Sequence, residues 1–403
     1  MDWIYIIQMP MMATGNPIRR LVLMASATPF LLTPGPLTTS EATKRAMLRD
    51  WGSRDTDFIA LNRRVRERLV ALAGGVGTHV SVPLQGSGTF AVEATIGTFV
   101  PRTGKLLILA NGAYGRRMAQ MCRYSGRAHA VYETAEDVPP SPTEVGRRLA
   151  EDAAITHVAI VHCETTSGIL NPVAEVAAVV AKHRRRLLID AMSAFGALPL
   201  DAREIPFDAV AASANKCIEG VPGIGFVIAR EAALAECEGN AHSLSLDLHD
   251  QWRAMERTKQ WRFTPPTHVL AAFAAALEQH EAEGGVAGRG ARYRRNCKIL
   301  IEGLRALGFE TLLPDRLQAP IIVTVHTPAD PRFHFERFYD SLREKGFVIY
   351  PGKLTVADTF RIGCIGALGE AEMRGAIDAI RRTLGEFGVT QCGRATAARA
   401  ATA

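Results

Sequence analysis

Residues 213–228, SANKCIEGVPGIGFVI, set one lysine between small polar residues and a Gly/Pro-rich turn that leads into an apolar run. The segment before it, PFDAVAASAN (206–215), has the short apolar character of a buried strand, and GIGFVI (223–228) reads as another. Lys216 therefore stands at a strand end, beside Gly220, Gly223 and Gly225, whose bare backbone lets a ligand come close. The plain reading of a loop lysine is a solvated surface charge. A lysine desolvated at such a place instead has its pKa lowered and can become a Schiff-base nucleophile.

The same pattern repeats outward from this point. HVSVPL (79–84) runs into QGSGT and the small-residue helix FAVEATIGTFV. KLLILANGAYGRRMAQMCRY (105–124) reads as apolar strand, Asn-Gly turn and amphipathic helix, and ITHVAIVHCE, RRRLLIDAMS and FDAVAAS are three further strands. The helical stretch PVAEVAAVVAKH lies between the first two of these. Strands alternating with helices of this length predict a layered α/β domain with a mainly parallel sheet, whose ligands bind beyond the carboxyl ends of the strands. Residues 85–89, residues 164–166, Asp190 and Lys216 all fall at such ends.

Upstream, TPGPLTTS (33–40) is a turn-rich entry that can also line the site, followed by a helical EATKRAMLRD. In DFIALNRRVRERLVALAG, Phe58, Leu61, Val65, Leu69 and Leu72 recur at helical spacing, with Gly74 and Gly75 as the stop. Downstream, the glycine-rich GGVAGRG (284–290) marks a boundary. After it come a basic helix over 291–307, the strand APIIVTVHT, the helix RFHFERFYDSLREKG, the strand FVIYPG, the FRIG segment and a last helix from about Gly369, which together read as a smaller α+β domain. The expected division is a large domain over 31–285, of which 31–45 can pack with the small one, and a small domain over 291–386. Residues 1–30 are expected to be a poorly ordered extension, with Met24 as an alternative translation start, and 387–403 a frayed tail.

Composition narrows the function classes. The 403 residues are 47% hydrophobic and 22% charged, as in a soluble globular protein. A net charge of +6 without a dense basic run argues against nucleic-acid binding and suits small anionic substrates equally well. The apolar patches of the first thirty residues are broken by Gln8, Pro10, Asn16 and Arg19-Arg20, short of a membrane span and without the order of a secretory signal. Seven cysteines without a CxxC pair suggest a reducing, cytoplasmic setting and no zinc site. His162, His249 and His268 show no compact ligand spacing, so no metal is expected. GxSxG is missing, and neither Cys163 nor Cys217 has an evident base in sequence.

Four features carry chemistry. The loop LQGSGTFAVEA enters a helix with free backbone amides, which with Ser87 and Thr89 would cradle a phosphate, although an ordinary helix cap explains either hydroxyl. Asp190 ends the apolar run RRRLLI, where an uncompensated carboxylate is costly to bury. It reads either as a cap or as the partner of a cationic cofactor group such as a pyridinium nitrogen. Arg361, in TFRIGCIG, is either a structural salt bridge or a fork for a carboxylate or phosphonate. Lys216 is the fourth.

Taken together, TPGPLTTS, RDWGSRDTDF, LQGSGT, NGAYG, HCETTSGILNP, LLIDAMSAFG, SANKCIEGVPG, SLSLDLHDQW, WRFTPPTH and FRIG resemble the class V aminotransferases over about residues 30 to 385. Within them the chain is most similar to those acting on 2-aminoethylphosphonate and pyruvate. The resemblance implies the type I fold of pyridoxal-phosphate enzymes and pyridoxal 5′-phosphate as cofactor. It implies Lys216 as the residue that binds the cofactor covalently, Asp190 opposite the pyridine nitrogen, and Ser87, Gly88 and Thr89 around the phosphate. Tyr114 would lie against the ring, Thr166 or its neighbour Thr165 near the 3′-oxygen, and Arg361 on an anionic end of the substrate. Thr264 would reach the phosphate of a neighbouring subunit, which implies a homodimer with sites at the interface. The alternatives are a class V enzyme using alanine or serine with glyoxylate or pyruvate, a pyridoxal-phosphate lyase, or a binding protein without activity.

Overall fold

The structure is a computed structural model and describes residues 28–354 and 356–394. The expected N-terminal extension thus lies, up to residue 27, outside the described residues. Fourteen strands are described in chain order: β1 (Phe30–Leu31), β2 (His79–Gln85), β3 (Lys105–Ala110), β4 (Ala128–Glu133), β5 (Ile155–Val161), β6 (Cys163–Glu164), β7 (Ile169–Leu170), β8 (Arg186–Asp190), β9 (Ala209–Ser213), β10 (Ile224–Arg230), β11 (Ile322–His326), β12 (Phe347–Val348), β13 (Tyr350–Pro351) and β14 (Thr359–Gly363).

The large sheet has the order β2-β10-β9-β8-β5-β3-β4. β9, β8, β5, β3 and β4 run parallel, and β10 runs antiparallel to both of its neighbours. The central strands are near-continuous apolar runs because helices cover both faces of the sheet. Their side chains alternate accordingly. Leu107, Leu109, Val158, Ile160, Leu187 and Ile189 pack with the helices Thr56–Leu72, Pro142–Glu151, Val173–Lys182 and Thr267–Ala282. Leu106, Ile108, Ala159, Val161 and Leu188 face the helices Gly88–Phe99, Ala113–Tyr124 and Leu248–Thr258. This is the expected mainly parallel sheet between helices, and it brings the carboxyl ends of β3, β5, β8 and β9 to one edge.

A second core forms around the sheet β11-β14-β13, where Val323, Phe360 and Ile362 pack on Leu300, Phe338 and Ile377 of the helices Gly285–Ala306, Phe335–Glu344 and Glu370–Phe387. The N-terminal chain divides between the two cores. Phe30 and Leu31 pair with Phe347 and Val348, and Leu32 is buried in the second core, whereas Leu37 lies in the first.

Two expectations change. The boundary marker GGVAGRG is itself mostly helical: Gly284, with φ of 99°, precedes a helix that begins at Gly285, earlier than the expected residue 291. Gly290 is glycine because a Cβ there would strike the Ala197 carbonyl, so the run serves close packing rather than separation. The tail expected to fray from 387 is instead held as far as it is described. Val389 and Cys392 are buried, the Ala329 amide donates to the Gly393 carbonyl at 2.9 Å, and Asp330 accepts from the Thr390 amide at 3.0 Å. Residues from 395 onward lie outside the described residues. Among the described residues no helix is long and apolar enough to cross a membrane.

Candidate active site

A cavity of about 200 Å³ opens beyond the carboxyl ends of the central strands, and Ser87, Gly88, Thr89, Tyr114, Asp190 and Lys216 all line it. Separate loops of the chain supply these residues, so only the sheet topology brings them together.

Each group is held in a specific way. Ser87 is the cap position of the helix Gly88–Phe99, and its hydroxyl makes no capping bond. The amides of Gly88 and Thr89 belong to the first helical turn, where no intrahelical acceptor exists and the helix dipole favours an anion. A side chain at Gly88 would run into the thioether of Met192, in the loop after Asp190.

Asp190 ends β8 and is buried, accepting the Met192 amide at 3.0 Å. Burial pushes its carboxyl up to about 6, against the opposing pull of that amide and of the Lys216 and Arg117 charges. Lys216 follows β9; burial lowers its pKa, and its Nζ donates to the Pro34 carbonyl at 2.7 Å. The segment TPGPLTT therefore does line the site, through Pro34. The Ser213 hydroxyl is buried on the cavity wall with no hydrogen-bond partner among the described residues.

Tyr114 begins a helix whose N-terminus is pinned by the buried Glu164. That carboxylate accepts the Tyr114 amide at 3.1 Å, the Gly115 amide at 3.4 Å and both the amide and hydroxyl of Thr166, at 3.0 and 2.5 Å. Thr166 is thus occupied, donating to Glu164 and accepting the Ala113 amide at 2.9 Å, and it is Thr165 that reaches the cavity. Of the two expected alternatives, Thr165 lines the cavity and Thr166 does not; both lie in the four-residue turn 165–168 between β6 and β7.

Arg361 is buried in β14 behind this wall. Its Nη1 donates to the Thr165 carbonyl at 2.9 Å and its Nε to the Pro351 carbonyl at 3.0 Å, and no carboxylate pairs with it among the described residues. Burial lowers its pKa. Thr264 is exposed and does not border the cavity of its own chain. The thiols of Cys163 and Cys217 are raised by burial, the second to about 12, so neither is a ready nucleophile.

The family follows from comparison with known proteins. The sequence model for aminotransferase class-V matches residues 70–361. The chain belongs to the class-V aminotransferases. It is 58% identical over 364 residues to the 2-aminoethylphosphonate–pyruvate transaminase of Pseudomonas putida, covering 90% of this chain and 99% of that protein. It is 57% identical over 373 residues to 2-aminoethylphosphonate–pyruvate transaminase 2 of Burkholderia lata, covering 93% of this chain and 99% of that one. In fold it superimposes on pyridoxamine-pyruvate aminotransferase from Mesorhizobium loti with a TM-score of 0.82 at 24% identity, covering 90% of this chain and 94% of the other. The alanine–glyoxylate aminotransferase of Nostoc sp. also gives 0.82, at 22% identity, covering 92% of this chain and all of that one.

A class-V aminotransferase uses pyridoxal 5′-phosphate, and the donors present here fit that group. A helix N-terminus with two hydroxyls suits its phosphate, a buried carboxylate without a cationic partner suits its pyridine nitrogen, and a desolvated lysine suits its carbonyl carbon. The sequence reading missed several residues of the wall. Arg117 stands three residues after Tyr114 on the same helix face, its guanidinium 4.9 Å from the Tyr114 ring centroid and its Nη1 donating to Thr89 Oγ1 at 3.3 Å. Helical spacing from Tyr114 was a usable signal for it. Met192, Ser193 and Asn215 also line the cavity, and nothing in their local sequence distinguishes them from other loop residues.

Proposed function

We propose that this class-V aminotransferase moves the amino group of 2-aminoethylphosphonate to pyruvate, giving phosphonoacetaldehyde and L-alanine through two half-reactions in one pocket. The observation that carries the reading is the pairing of 57–58% identity, along nine-tenths of the chain, to transaminases of that name with a cavity that gathers one lysine, one carboxylate and a helix N-terminus suited to a phosphate.

Bound pyridoxal phosphate supplies an electrophilic carbon for the amine and a ring that accepts electrons. Everything else falls to the chain. Ser87, Gly88 and Thr89 hold the phosphate, and Arg117, tied to Thr89, adds a positive charge at that end. Asp190, kept ionised by a facing cation, orients the pyridine ring. Tyr114 would pack against the ring, and Thr165 would take the place near the 3′-oxygen first expected for Thr166. Lys216 Nζ would hold the cofactor covalently before substrate binds. Freed, and with its pKa lowered by burial, Nζ is the base that takes the proton from the amine-bearing carbon of the substrate. The same nitrogen would hand that proton on to the cofactor carbon on the far side of the amine nitrogen, so that the amino group stays with the cofactor and water releases the aldehyde. In the second half-reaction pyruvate enters with its carboxylate on Arg361 and the proton path runs in reverse.

Thr264, exposed on its own chain, is proposed to meet the cofactor phosphate of a second copy, making the enzyme a homodimer with interface sites. The two-domain division is proposed with its seam in the helix Gly285–Ala306, which spans both cores. A cytoplasmic location is supported by cysteines that are all buried and free.

The test is to add 2-aminoethylphosphonate without pyruvate to the cofactor-loaded protein, with Lys216→Ala as control. Loss of the long-wavelength cofactor absorbance in the wild type alone, restored by pyruvate, is the expected result. No change with this amine, but the same change with alanine or serine, would move the activity to another branch of the family.

A further inference from the structure

Resting on this reading of the substrate, we propose that Lys353 is the specificity-determining residue for the phosphonate: it supplies a second cation that a phosphonate needs and a carboxylate does not. Lys353 follows β13, the strand whose Pro351 carbonyl fixes Nε of Arg361. Its Nζ lies 4.3 Å from the centroid of the Tyr114 ring, a side chain that lines the cavity. No carboxylate pairs with Lys353 among the described residues.

Besides Lys216, three cations without a carboxylate partner among the described residues stand near Tyr114 and Thr165, and they divide the anions between them. Arg117 leans on the same tyrosine ring but is committed to Thr89, at the end that cradles the cofactor phosphate. Arg361 and Lys353 remain, the first in β14 opposite Tyr350 and the second two residues beyond β13. The planar fork of Arg361 matches a carboxylate, with two oxygens and one charge. A phosphonate has three oxygens and can carry two charges, so its last oxygen extends beyond the plane of that fork. An ammonium on a flexible stem is the group that can follow it.

The charge of Lys353 already acts inside the site. Burial alone would raise the Tyr114 phenol, yet its net displacement is downward because Lys353 and Lys216, with a hydrogen bond to Thr165, outweigh the burial. Lys353 also contributes to lowering Lys216 itself, after burial. An anion placed between Tyr114 and Arg361 would meet this field directly.

The experiment compares wild type, Lys353→Ala and Lys353→Arg as full-length, cofactor-loaded proteins. Three amines are titrated by the cofactor spectrum: 2-aminoethylphosphonate, its sulfonate counterpart of the same length but single charge, and alanine. In Lys353→Ala the preference for phosphonate over sulfonate should fall about tenfold, the loss expected for one charge-assisted contact, and Lys353→Arg should restore most of it. Equal weakening of all three amines would overturn the proposal and make Lys353 a support for Tyr114; unchanged affinities would overturn it too. A wild type that reacts with alanine but ignores the phosphonate would instead defeat the proposed function, and the role of Lys353 with it.

Discussion

Two groups of buried charge lie on either side of Lys216, and they are built on opposite principles. On the cavity side, Lys216, Asp190 and Arg361 form no ion pair among the described residues: Lys216 has one carbonyl, Asp190 one amide and Arg361 two carbonyls. Three residues after the lysine, Glu219 starts a cluster in which every charge is matched. Arg292 donates to Glu219 at 2.8 Å and to Glu283 at 2.8 Å, Arg289 donates to Glu283 at 2.7 Å, and the Tyr293 hydroxyl donates to Glu219 at 2.5 Å. Arg289, fully buried, also donates to the carbonyl of Cys217, the residue next to the lysine. Burial is similar in the two groups, so burial alone does not identify a functional charge. What separates them is completion: the matched cluster fixes the loop, and the unmatched groups await partners.

The comparison breaks most severely at Arg289. Arg289→Ala removes the centre of the matched cluster and leaves Glu219 and Glu283 with Arg292 alone. The expected loss of folding stability is about 3 kcal/mol or more, as for other broken buried pairs. Chemical denaturation of the cofactor-free protein measures it directly. Removing the cavity-side Lys216 in the same assay should cost far less, because a lone desolvated ammonium opposes folding. If Lys216→Ala proved the more damaging of the two, the division between matched and unmatched charge would be wrong.

This division also explains what the sequence could and could not disclose. Strand-helix alternation exposed the parallel sheet, and the ends of its strands located Asp190 and Lys216, because a charge that closes a buried apolar run must be either matched or held for a ligand. Ser87, Gly88 and Thr89 were legible in a similar way, as a glycine-rich turn entering a helix. The roles of these residues, however, came from resemblance and not from spacing. Glu219, Arg289 and Arg292 carried no local signal, since the arginine and tyrosine partners of Glu219 lie some 70 residues away in the chain. Lys353 was invisible likewise, because its neighbour Tyr114 comes from a distant segment of the chain. GGVAGRG concealed the start of a helix, because glycine marks boundaries and tight contacts alike, and the contact with the Ala197 carbonyl opposite Gly290 appears only in the fold.

A second test uses pH. Asp190 rises from an ordinary 3.8 to about 6 in the folded, cofactor-free chain, mainly through burial. Between those values the folded protein holds a proton that the unfolded chain has released. This group's contribution to stability is therefore full below the lower value and is lost as pH rises through the upper one. The free energy linked to that rise is no more than about 3 kcal/mol. The stability of wild type relative to Asp190→Asn should decline across that window in the cofactor-free protein. With pyridoxal phosphate bound, a cation facing Asp190 favours the ionised form, and the decline should shrink or reverse. An identical pH profile with and without cofactor would remove Asp190 from the pyridine nitrogen.

The smallest expected effect is the sharpest discriminator, because it separates a structural from a binding role within one residue. Arg361 ties Thr165 to Pro351 with two of its nitrogens, and the proposed function assigns the rest of the guanidinium to a substrate anion. Arg361→Lys keeps the charge but cannot hold two carbonyls and an anion with one nitrogen. Steady-state kinetics should show KM rising about tenfold for 2-aminoethylphosphonate and for pyruvate alike, the loss of one charge-assisted contact in each half-reaction. Folding stability should change by less than this, since the carbonyls can be reached by a lysine one at a time. A variant with unchanged KM and lowered stability would make Arg361 a tie between the two cores and nothing more. A rise confined to the phosphonate would transfer the carboxylate to another group and leave Arg361 and Lys353 as a single subsite. Both substrates weakened here, against one weakened in Lys353→Ala, is the pattern that assigns the shared anion to the fork and the additional charge to the ammonium.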